Sequence, residues 1–91
     1  MADTFTKDPN DVLDFTFDWA DSWLATGETI SSYTVTADTG LTIDSDSQAS
    51  GVITYWVSGG TANQRYSVAC KIITSAGRTA ERTATFMVTN L

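Results

Sequence analysis

The chain has 91 residues, 42% of them hydrophobic and 11% aromatic, with a net charge of −6. That suffices for one small domain with an adequate but thin core. There is no His and a single Cys, so His-dependent triads, Cys-rich zinc sites and intramolecular disulfides are excluded.

The basic residues are Lys7, Arg65, Lys71, Arg78 and Arg82. They form no run that would track a phosphate backbone, so nucleic acid is not an expected partner. No apolar run approaches the ~20 residues of a membrane span, so no membrane partner is expected. Lys7 is followed by no hydrophobic stretch, so no secretory signal is expected.

Residues 1–10 have no pattern that packs alone. They are expected as an N-terminal arm, ordered through Phe5 and Lys7-Asp8-Pro9 only against a neighbouring subunit. Residues 11–91 are expected as one domain. Strict alternation over residues 11–19 puts Leu13, Phe15, Phe17 and Trp19 on one face. Asp14, Thr16 and Asp18 take the other, which predicts a half-buried strand. Residues 20–26 read as a turn or single helical turn before Gly27. A strand follows over residues 29–37, with Tyr33 and Val35 on one face. Ile30 is out of phase with them, which predicts a bulge near Ser31 and Ser32.

Asp38-Thr39-Gly40 is a turn, residues 41–43 a short strand, and residues 44–50 polar and loop-like. Residues 52–57 form a strand ended by Ser58-Gly59-Gly60. Residues 66–74 alternate, with Tyr66, Val68, Cys70 and Ile72 against Ser67, Ala69, Lys71 and Ile73. Ser75-Ala76-Gly77-Arg78 reads as a hairpin turn. A last strand over residues 79–89 turns Ala84, Phe86 and Val88 inward. Six or seven short strands without a long helix define an all-β chain, most simply two sheets packed face to face in Greek-key order.

Few residues carry candidate chemistry. Asp14 and Asp18 share a strand face but lie about 13 Å apart by strand rise. Paired glycosidase carboxylates need roughly 5–9.5 Å, so no enzyme activity is expected. Asp44, Asp46 and Ser47 resemble the start of a calcium loop, yet the central Gly and terminal Glu are missing. No metal or cofactor is expected. Cys70 lies in phase with Tyr66, Val68 and Ile72 and reads as a buried small hydrophobe. Trp19 and Phe86 belong to core faces. Trp56 is out of phase with Ile53, Tyr55 and Val57, so either Trp56 or Tyr55 is expected to face a partner. Trp23, in a turn, is a further candidate contact or an end cap of the sandwich.

The stretch from Gly51 to Val88 resembles the last three strands of an immunoglobulin-like or fibronectin type III module. Val52-Ile53-Thr54-Tyr55-Trp56-Val57-Ser58-Gly59-Gly60 is followed by Tyr66, which would take the tyrosine-corner role. Cys70 stands alone, so this would be a disulfide-free relative. The whole chain also resembles small virion structural proteins of tailed bacteriophages. The resemblance rests on Lys7-Asp8-Pro9-Asn10-Asp11-Val12-Leu13-Asp14, Asp18-Trp19, Trp23-Leu24, Gly27-Glu28-Thr29-Ile30 and Gly40-Leu41-Thr42-Ile43. It continues in Val57-Ser58-Gly59-Gly60-Thr61-Ala62 and Ile73-Thr74-Ser75-Ala76-Gly77-Arg78-Thr79. It implies an immunoglobulin-like sandwich with a non-enzymatic role in the virion, made in host cytoplasm. The expected position is a capsid decoration or head-fibre component, bound in multiple copies to other virion proteins and homo-oligomeric on the particle. The alternatives are a tail or fibre-attachment component, or a module binding carbohydrate or a cell-surface protein.

Overall fold

The computed structural model describes the backbone of residues 3–91 and the side chains of all of these except Asp3, Asp21 and Ser22. In chain order the elements are β1 (Asp3–Lys7), β2 (Leu13–Asp18), α1 (Trp19–Ser22), β3 (Ile30–Ala37), β4 (Leu41–Ala49), β5 (Val52–Gly59), β6 (Gln64–Thr74) and β7 (Thr79–Val88). One sheet runs β1-β7-β6-β3 and the other β2-β5-β4. Apart from the parallel pairing of β1 with β7, all neighbouring strands are antiparallel. The second, fifth and fourth strands thus face the third, sixth and seventh. That is the grouping of an immunoglobulin-type sandwich, with the first strand moved onto the other sheet.

The alternation of the sequence becomes the core directly. Ile53, Tyr55 and Val57 of β5 are sealed from solvent, as are Val68, Cys70 and Ile72 of β6 and Phe86 of β7. Phe17 stacks on Tyr55 at a ring separation of 5.1 Å, and Phe15 meets Phe86 edge-on at 4.7 Å. Such pairs add to the stabilisation from their buried area. The expected irregularity in β3 falls between Ile30 and Ser32. The helical turn after β2 is α1.

Two expectations need correction. Residues 3–7 are not a free arm: β1 lies in register with β7 from Asp3 opposite Ala84 to Lys7 opposite Val88. Its inward positions are Phe5 and Lys7, and a charged residue in an apolar phase hides the period. Met1 and Ala2, the rest of that expected arm, lie outside the described residues. Residues 44–49 are likewise no loop, because β4 continues to Ala49 past a shift in register between Ile43 and Ser45. Asp44 and Asp46 therefore project from an extended strand and cannot wrap a cation as a loop would.

The β4–β5 turn is fixed by Ser50 and Gly51, both at positive φ (51° and 82°). The Gly51 carbonyl accepts the N–H groups of Trp19 and Ala20, which anchors the start of α1. A Cβ on Gly51 would come within 2.8 Å of the Ala20 Cβ and 2.9 Å of Leu24. Only glycine lets this turn and α1 approach so closely.

Candidate interaction surfaces

At one end of the sandwich β1, β5 and β7 finish. Lys7 points between the sheets and is fully buried. Its ammonium donates to the carbonyls of Gly59 (2.7 Å) and Asp8 (2.9 Å), which offsets the cost of burying a charge. The Asp8 carboxylate accepts the N–H groups of Asn10 and Leu91 (both 2.9 Å), tying the C-terminal residue to the start of the chain. Those bonds, led by that from Leu91, hold its carboxyl below the usual range. Beside them Thr61 N–H donates to the Tyr66 hydroxyl at 2.8 Å, linking the start of β6 to the loop before it.

The other end is closed by aromatics and an ion pair. Trp19 is buried and meets Trp23 edge-on at 5.6 Å. The Arg78 guanidinium lies 4.0 Å from the Trp23 ring centre. Arg78 also pairs with Glu28, whose side chain is only 4% exposed. Glu28 accepts the Thr74 hydroxyl at 2.6 Å and the Ala25 N–H at 3.0 Å. With Arg78 as the main cause, these bonds lower the Glu28 carboxyl from 4.5 to about 2. A shallow hollow of about 340 Å³ opens between Ala25–Glu28 and Ser75–Arg78. Its one carboxylate, Glu28, is already engaged.

The structure separates the expected contact residues. Trp56 is 42% exposed on the outer face of the three-stranded sheet, with Asp14 of β2 and Ser45 of β4 opposite it. Tyr55 is fully buried, because strand alternation turns it to the opposite side from Trp56. Phe5 is no exposed anchor either: its ring lies 4.7 Å from Phe15 and 5.3 Å from Phe86, inside the sandwich. Trp23 is half-buried against Trp19. Cys70 is buried, and burial pushes its thiol up to about 11, which leaves it unreactive at neutral pH. Sequence reasoning missed Lys7 and the Glu28–Arg78 pair. The inward phase of Lys7 with Phe5 was the available signal for the first. The side-chain partners of Glu28 are 46 and 50 residues away, so no local pattern announced the second.

Among the described residues no group of Cys, Asp and Glu is placed to hold a metal ion. None of their helices is long and apolar enough to cross a membrane. What the molecule offers is flat sheet faces, strand edges and tightly fastened ends. Fold and surface together define a small β-sandwich of the interaction or scaffold kind. Residues 7–87 match the family described as Podophage GP4 fiber-tail adaptor protein gp77, and the chain belongs to that family. It is accordingly a phage virion structural protein. A search of curated proteins finds no match.

Proposed function

We propose that this protein joins a fibre to the tail of a podophage particle, binding other virion proteins and catalysing no reaction. The observation that carries this reading is the match over residues 7–87 to a fibre-tail adaptor family. The capsid-decoration or head-fibre position implied by the resemblance to phage virion proteins gives way to the tail, which the family description names. A rigid sandwich with both ends fastened suits a connector, because a joint that holds its shape loses little entropy on docking. The copies on a particle would follow the symmetry of the tail.

Two measurements on purified particles test this. Copy number by quantitative mass spectrometry should match the fibre set and not the capsid lattice. Particles assembled without this protein should keep full heads and tails but lack the fibres. A protein found at lattice stoichiometry, or fibres retained in its absence, would sink the reading.

A further inference from the structure

Each sheet has two edges, and three of the four carry devices that discourage pairing with another chain. β1 is only five residues long and ends in Lys7. β2 carries Asp14 and Asp18, and β4 carries Asp44, Asp46 and a shift in register. The fourth edge, β3, differs. Its residues Ile30–Ala37 include no charge, no proline and no glycine, and its irregularity is confined to the first residues. Tyr33, Thr34, Val35 and Thr36 favour extended structure.

The register says which backbone groups are free. Asp38 N–H donates to the Ser67 carbonyl, so the alternate residues Thr36, Thr34 and Ser32 bond inward to β6. Tyr33, Val35 and Ala37 then present their N–H and C=O groups away from the sheet. Among the described residues no backbone bond reaches them. A run of outward-facing pairs on a regular, unguarded strand is a template for one more strand.

We propose that the open edge of β3 receives an antiparallel or parallel strand from a neighbouring virion protein, and that this strand carries Lys or Arg on its side facing β4. The proposal rests on the adaptor reading and specifies how the adaptor engages its partner. Charge decides the occupant. The edge is flanked on the three-stranded side by Asp46, which accepts the Tyr33 hydroxyl at 2.8 Å across the gap between β3 and β4. Asp38 stands at the end of the strand. On the other side Lys71, beside Thr34, lies opposite Glu81 and adds no net charge. A second copy is a poor occupant. Antiparallel pairing of two β3 strands about a two-fold axis puts both three-stranded sheets on one side. Each copy's Asp46 then faces the other's, in chains of net charge −6.

Amide hydrogen exchange, compared between the isolated protein and purified particles, tests the edge. The amides of Tyr33, Val35 and Ala37 should exchange readily in the isolated chain and slow at least about tenfold in the particle. Val35→Pro removes an outward N–H without touching a bond to β6. It should fold but incorporate at least about tenfold less. Asp46→Asn should make incorporation weaker and less sensitive to salt. If the protein sits at the tail but those amides exchange equally in both states, the edge proposal falls while the adaptor reading stands. The edge proposal falls equally if Val35→Pro incorporates normally. Protection of the same amides in a dimer of the isolated protein would overturn the choice of occupant, as would unchanged salt sensitivity in the Asn variant. A protein absent from particles sinks the adaptor reading itself.

Discussion

At the end where β1 finishes, Lys7 is sealed among backbone carbonyls, Asp8 clasps Leu91, and Tyr66 holds Thr61. At the opposite end Trp19 and Trp23 fill the opening, and Glu28 with Arg78 locks the outside. Both ends meet the same need, since a two-sheet sandwich leaks water into its core wherever the strands run out. The first end is fastened mainly by hydrogen bonds to the main chain. The second is closed by large apolar area and an ion pair between side chains. The contrast teaches that the two ends should answer to different perturbations, one to loss of single polar groups, the other to loss of volume.

The largest effect is expected at the aromatic end. Trp19→Ala should cost about 3–5 kcal/mol, because Trp19 is buried against Trp23 and little can collapse into the space. Urea unfolding at neutral pH reads this directly, and a loss under about 1 kcal/mol would contradict the packing described. At the polar end, Tyr66→Phe leaves the Thr61 N–H without its partner and should cost about 1–3 kcal/mol. Lys7→Met keeps the aliphatic stem but leaves the Gly59 carbonyl unbonded, and a loss in the same range of about 1–3 kcal/mol is expected. Equal melting temperatures for both variants and the parent protein would show that these bonds do not fasten that end.

Acid should act at both ends, through Asp8 at one and Glu28 at the other. The Glu28 carboxyl titrates near about 2 when folded against an ordinary 4.5. Its ionised form therefore favours the folded chain. The stabilisation is fully present above pH 4.5 and drains away as pH falls toward about 2. Glu28→Gln should flatten the stability–pH curve in that window, leaving the share due to Asp8, whose carboxyl is also held low. An unaltered acid limb would contradict the role given to Glu28. The smallest effect is expected for Trp56→Ala, which lies on an open face away from both ends. Its stability should stay within about 0.5 kcal/mol of the parent. A larger loss would mean that the face packs more tightly than its exposure indicates.

Where the alternation was apolar, the fold was legible. The β5, β6 and β7 runs, the bulge in β3 and the turn at Gly77 all read correctly from local pattern. What failed to read were strands whose inward positions are polar. In β1 the inward Lys7 breaks the apolar period, and its carbonyl partner at Gly59 is 52 residues away. In β4 the positions after Ile43 lie at a sheet edge, where Asp46 and Gln48 satisfy Tyr33 and the Gly51 N–H and bury no apolar area. Polar edge strands look like loops because only their partners make them strands. The interaction surface was legible in half. Local phase separated Trp56 from Tyr55, but deciding which faced inward needed the opposite sheet. The edge of β3 left no trace in composition, because being free is a property of strand order alone.

The parallel pairing of β1 with β7 has a mechanical consequence. The described chain starts beside Ala84, partway along β7, and leaves at the Lys7 end, where β7 finishes. Tension between residues 3 and 91 therefore pulls these two strands in opposite directions past each other. Their hydrogen bonds are loaded together in shear, so they cannot open one after another as in a peeled hairpin. With Lys7 buried at the end of the same strand, β1 acts as a latch on the load line. A strand pair loaded in shear resists extension better than one that can be opened bond by bond.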